Sequence, residues 1–159
     1  MKLKITLLFI LLSGLSFAQA DKWRVYHPYG ETSYNYFFSV LVDNNNEIWA
    51  AGYEFWKFNG STWNVYSENP VNSNGSTQIF TLVADDSNNI WQGAARGFVK
   101  YDGQNFTTLY PENYPMWISK APNGALWAGD IIRPNILKLE NNVLTVYNTT
   151  DIGLTFSDI

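Results

Sequence analysis

One pattern occurs three times in this chain: VDNNNEIWAAGYEFWKFNGSTWNVY from Val42, ADDSNNIWQGAARGFVKYDGQNFTTLY from Ala84 and APNGALWAGDIIRPNILKLENNVLTVY from Ala121. Trp49, Trp91 and Trp127 anchor it at spacings of 42 and 36 residues, and the excess in the first spacing lies in the polar connector Ser67 to Gln78. A period of this size marks a repeated supersecondary unit that cannot bury its apolar face alone and must stack on its neighbours.

Each unit reads as four short strands. In the first they are Phe38 to Val42, Ile48 to Ala51, Trp56 to Phe58 and Thr62 to Tyr66, with Asp43 to Asn46 as the first turn. Asn59-Gly60 and Asp102-Gly103 are dipeptides that favour a two-residue type I′ hairpin, where both central residues need positive φ. Glu140-Asn141-Asn142 stands there in the third unit, so a looser hairpin is expected. Aromatic residues make up 17% of the chain and charged ones only 15%, a balance that suits half-buried pleated surfaces and excludes a disordered tail.

The tryptophans follow the asparagine turns within a few residues, so turn chemistry gives way to core: Trp49, Trp91 and Trp127 are expected to be buried on both sides. Trp56, Trp63 and Trp23 are expected between units. The small residues after each anchor, including Gly52, Gly93 and Gly129, are expected to let neighbouring sheets converge.

Four-stranded sheets repeated at this period describe a β-propeller. The expected fold is all-β: a partial β-propeller of about three four-stranded antiparallel blades, at 36–67, 78–110 and 115–147, plus incomplete flanking strands. Residues 21–34 read as a closing-type strand with its linker, since Trp23-Arg24-Val25-Tyr26 matches Trp63-Asn64-Val65-Tyr66, and 154–159 read as the start of a further blade. Propellers usually have about four to eight blades. The chain is therefore expected to be the N-terminal piece of a longer propeller, or a truncated product, that alone forms an open arc whose exposed blade edges invite association with the remaining blades or with itself.

The pattern resembles the two-component regulator propeller repeat, roughly Asp-x-x-Gly-x-(Ile/Leu)-Trp-x-Gly before a Gly-rich turn and an aromatic strand. It stands here as DNNNEIWAAG, DDSNNIWQGAARGFVKYDG and PNGALWAG; the turn glycine survives only as Gly124, and the third unit lacks the leading Asp. The resemblance implies the periplasmic sensing part of hybrid sensor kinases, often tied to carbohydrate uptake.

Residues 1–20 combine Lys2 and Lys4 with the apolar run Leu7 to Leu12 and end Ala18-Gln19-Ala20, the form of a secretion signal peptide. A periplasmic or extracellular location is expected, with no membrane span in the mature chain. Without the leader, eight Lys and Arg face fourteen Asp and Glu, so nucleic acid is not an expected partner. The chain has no cysteine, and stability must come from packing and backbone pairing.

Catalysis has few parts available. The single histidine, His27, lies outside the three units, and no G-x-S-x-G or H-E-x-x-H motif occurs. The Asp-rich turns do not supply the glycine and distal glutamate of an EF-hand, so neither metal nor cofactor is expected. Virginiamycin B lyase, also a propeller with Trp-centred repeats, supplies the enzyme alternative. The main expectation is a non-catalytic exported propeller that binds a ligand or partner, an oligosaccharide or another protein, as part of a sensor or of a secreted interaction scaffold. The expected ligand surface lies on the face of the second-to-third turns and unit connections, with Tyr53, Glu54, Arg96, Glu112, Asn113, Tyr114, Asp130 and Arg133 as its residues.

Overall fold

The computed structural model describes residues 36–66, 69, 78–95, 97–110, 115–130 and 133–148, all within the compact unit Thr32–Ile159. The leader, the closing-type strand at 21–34 and the strand expected at 154–159 lie outside the described residues. The first sheet contains β1 (Phe37–Val42), β2 (Ile48–Gly52), β3 (Phe55–Phe58) and β4 (Trp63–Val65). The second contains β5 (Ile79–Ala84), β6 (Ile90–Ala94), β7 (Gly97–Tyr101) and β8 (Phe106–Tyr110). The third contains β9 (Pro115–Lys120), β10 (Leu126–Asp130), β11 (Asn135–Glu140) and β12 (Val143–Asn148). Strand order is sequential and antiparallel in all three sheets. The fold is all-β, with three propeller-type blades and, among the described residues, no helix.

Pairing register explains how one sequence pattern serves all three sheets. Trp49 pairs with Leu41 and Lys57, Trp91 with Val83 and Lys100, and Trp127 with Ser119 and Lys138. Side chains alternate along each strand. Each blade therefore has a tryptophan flank, carrying the Trp, its Lys and a ring or branched residue two positions on, and an opposite flank of alternate residues.

The two flanks meet between successive blades. Trp49 and Phe55 pack on Leu82, Ile90, Val99 and Tyr101 of the second blade. Trp91 and Phe98 repeat this on Ile118, Leu126, Leu137 and Leu139 of the third. Aromatic rings dominate the first interface: Trp49 stacks on Phe55 at 4.9 Å, and Tyr101 meets Phe55 edge-on at 5.9 Å. In the connector between these blades, Asn69 donates from Nδ2 to the buried Gln92 Oε1 at 2.7 Å.

Four expectations need correction. Trp49 and Trp91 are 3% exposed, but Trp127 is 38% exposed, because its flank has no described blade beyond it. The hairpins at Asn59-Gly60 and Asp102-Gly103 are not type I′: only Gly60 and Gly103 have positive φ, and Asn59 and Asp102 instead close the turn by accepting two backbone N–H groups each. The third hairpin is the tight one, for Glu140 pairs with Val143 and Asn141 and Asn142 both take positive φ (51° and 61°). Finally, the close neighbour of Gly52 is not another sheet. A Cβ there would run into the backbone carbonyl of Tyr36 beside a register shift in β1, whereas one on Gly129 would meet open space. Gly93 is buried within β6.

Candidate functional site

The meander places the first-to-second and third-to-fourth turns at one end of each blade and the second-to-third turn at the other. Tyr53 and Glu54 form the β2–β3 turn, which the Gly52 N–H closes on the Glu54 carbonyl at 3.1 Å. Burial raises the Glu54 carboxyl above its usual range. Tyr53 is exposed and stands among rings, 6.1 Å from both Tyr36 and Phe38, with Phe38 a further 5.5 Å from Phe80. Its hydroxyl accepts a hydrogen bond from Gln78 Nε2 at 3.3 Å.

On the third blade Asp130 Oδ1 accepts the Arg133 backbone N–H at 3.1 Å, so these two residues order their own loop. Arg96, Glu112, Asn113 and Tyr114 lie outside the described residues. Of the expected ligand surface, then, Tyr53 and Glu54 share one turn, and Asp130 and Arg133 share another.

The opposite end holds an arrangement that the strand pattern alone did not reveal. Asp43 is buried, and its carboxylate accepts the backbone N–H groups of Asn45 and Glu47, the indole N–H of Trp49 at 2.9 Å and Asn88 Nδ2 at 3.2 Å. Asp85 repeats this with Ser87, Asn89 and the Trp91 indole at 2.8 Å. Burial penalises both charges, yet the indole, amide and backbone donors outweigh it and hold both carboxyls below their ordinary range. The Asp-to-Trp spacing of six residues was the available signal. It is absent from the third unit, where Ala121 takes the place of the aspartate.

Neighbouring turns are also tied together. Asn44 donates its N–H to Asn88 Oδ1 and its Nδ2 to the Asp85 carbonyl, at 2.9 and 2.8 Å. Between the second and third blades, Lys120 reaches Asp86 at 2.6 Å.

Two clefts open at this end. One, of about 290 Å³ between the first and second blades, is lined by Glu47, Trp49, Lys57, Tyr66, Asn88 and Tyr101. Lys57 Nζ lies 4.9 Å from the Trp49 ring and 2.7 Å from Glu47. The Tyr101 hydroxyl donates to the Gly103 carbonyl at 2.8 Å, and burial, reinforced by the Tyr66 hydroxyl, pushes its ionisation far above the usual tyrosine range. Tyr101 can therefore donate a proton in a hydrogen bond but is no base near neutrality. The second cleft, about 270 Å³, lies between the blade-two and blade-three turns beside Asp86, Asn123 and Glu140. Among the described residues, no group of three or more His, Cys, Asp and Glu is placed to hold a metal ion.

No protein-family model and no curated protein matches the sequence significantly. Solved structures do match the fold. The extracellular domain of a putative hybrid two-component system from B. thetaiotaomicron superposes with a TM-score of 0.62 at 20% identity, over 77% of this chain and 20% of that one. Virginiamycin B lyase from Staphylococcus aureus superposes with a TM-score of 0.56 at 17% identity, over 70% of this chain and 41% of that one. A catalytically inactive histidine-to-alanine variant of that lyase with quinupristin gives 0.57 at 18% identity. The chain thus spans a fifth of the first structure and about two fifths of the lyase. At these identities the likeness is one of fold, and the fold is that of a β-propeller.

Proposed function

We propose that this chain is a segment of an exported β-propeller that recognises a ligand or partner without doing chemistry on it, as the sensing part of a two-component system. The observation that carries this reading is the likeness to an extracellular domain of a putative hybrid two-component system, at a TM-score of 0.62. The expected ligand is an oligosaccharide or another protein, taken on the face that carries Tyr53, Glu54, Asp130 and Arg133, with Arg96, Glu112, Asn113 and Tyr114 in the same set. Exposed rings beside hydrogen-bonding groups suit a stacked, polyhydroxylated ligand.

Isothermal titration of the purified chain against an oligosaccharide panel tests this. Binding in the micromolar range, weakened at least ten-fold by Arg96→Ala or Asp130→Ala, is the expected result, whereas binding indifferent to both substitutions removes this face from consideration. A lyase is the second reading, favoured by the virginiamycin B lyase likeness. Consumption of virginiamycin B by the chain, followed by mass spectrometry, would replace the binding reading with it.

A further inference from the structure

Three Asn-Gly dipeptides occur in this chain, at Asn59, Asn74 and Asn123, and the structure describes the first and the third. An asparagine before glycine is chemically vulnerable, because the glycine backbone nitrogen can attack the side-chain amide carbon with no Cβ to crowd its approach. The rate depends on whether that nitrogen is free and on what faces the amide oxygen.

The two turns differ on both counts. Asn59 and Gly60 are exposed, no atom lies within 4 Å of where a Cβ on Gly60 would stand, and the Gly60 N–H has no hydrogen-bond partner among the described residues. Asn59 Oδ1 accepts the backbone N–H groups of Ser61 and Thr62 at 2.9 and 2.8 Å, and Asn59 Nδ2 donates to Thr62 Oγ1 at 3.0 Å. Two donors thus face the atom on which negative charge develops during attack, as in an oxyanion hole. At Asn123 the Gly124 N–H is already engaged, donating to the Ala121 carbonyl at 2.9 Å. There Oδ1 has a single, longer donor, the Ala125 N–H at 3.3 Å, and Nδ2 is held by Glu140 Oε1 at 3.1 Å. The Asp86 carboxylate stands against Gly124, where it opposes loss of the N–H proton.

The blade repeat shows that the product of such an attack has a place in the fold. Asp102-Gly103 holds in the second blade the position of Asn59-Gly60 in the first, and Asp102 Oδ1 accepts the Gln104 and Asn105 N–H groups at 2.9 and 2.7 Å. Asp102 does not react in the same way. The Asn105 and Gln104 donors hold its carboxyl below the ordinary range, and a carboxylate is a poor target for a nitrogen nucleophile.

We propose that Asn59 is a site of self-deamidation built by its own turn. The Gly60 nitrogen gives its proton to solvent and bonds to Asn59 Cγ, while the Ser61 and Thr62 N–H groups hold Oδ1. The Cγ–Nδ2 bond then breaks, and Nδ2 leaves as ammonia with a proton relayed through the adjacent Thr62 hydroxyl. The remaining succinimide is opened by water. Cleavage of the new Cγ–N bond gives aspartate, which takes up the turn that Asp102 already makes; cleavage at the backbone carbonyl gives isoaspartate, which carries the chain through the side chain. The net change is amide plus water to acid plus ammonia, with no oxidation or reduction.

Incubation of the folded chain at mildly alkaline pH, followed by peptide mapping with mass spectrometry and by enzymatic methylation of isoaspartate, tests this. Asn59 is expected to convert at least about ten-fold faster than Asn123, and the two rates should come together in urea, where both turns are lost. Asn74 is read from its own peptide and does not enter the comparison. Equal rates in the folded chain overturn the proposal, as does an Asn59 that stays intact. A gap that persists in urea would assign the difference to local sequence, which also overturns it. Asn59→Asp is expected to keep the circular dichroism and the urea midpoint of the parent; a lowered midpoint would show that the turn does not accommodate its product, against the proposal.

Discussion

At the scale of single residues, the aspartate six positions before the tryptophan does two jobs. It closes a turn by accepting two backbone N–H groups, and it gives the buried indole its acceptor. Deleting it leaves donors without partners in a dry site, which is more costly than never having had the pair. Asp43→Ala is expected to cost about 3 kcal/mol in urea unfolding, combining an orphaned indole with a lost turn cap. Ionisation gives a second handle. Because Asp43 and Asp85 are held below the ordinary carboxyl range, the unfolded chain binds protons before the folded one as the pH falls. Their contribution is complete above about pH 5 and is lost as the pH drops through 4 and below. The urea midpoint should decline over that acid limb, and the decline should flatten in the Asp43→Asn, Asp85→Asn double variant.

At the scale of elements, the hairpin turns show how far a dipeptide can be read. Asn59-Gly60 and Asp102-Gly103 do mark strand–turn–strand, yet their polar side chains fold back on the turn and only the glycine goes to positive φ. The Asn141-Asn142 turn takes the two positive φ values instead, since asparagine tolerates the left-handed region better than other residues with a side chain. Asn142→Gly is expected to stabilise by about 0.5 kcal/mol and Gly60→Ala to destabilise by about 1 kcal/mol, both read from thermal unfolding. A change of opposite sign at either position would contradict the turn geometry. The strands themselves were legible within a residue or two at each end, because alternation and the tryptophan anchor report a half-buried sheet directly.

At the scale of the whole molecule, each blade is a layer that its neighbour covers, so stability is a sum over interfaces, as in repeat proteins generally. Leu137, fully buried between the second and third blades, should cost about 3 kcal/mol when cut to alanine, whereas Val146→Ala, half exposed in the same sheet, should cost less than about 1 kcal/mol. Hydrogen exchange should then show β9 to β12 losing protection before β1 to β4. Equal loss in the first and third sheets would mean that the blades do not unfold as separable layers.

What the sequence determined by itself was everything governed by short range: the repeat, the four-strand meander, the place of each turn and the residues that alternate onto each flank. These depend on contacts within one unit, and a single period carries them. Which flank is covered depended on the tertiary structure, because Trp49, Trp91 and Trp127 hold the same place in the repeat and differ in whether a described blade lies over them. The same is true of the candidate site, where Asn44, Asp85 and Asn88 meet across some forty residues of chain, a separation at which spacing carries no information about contact.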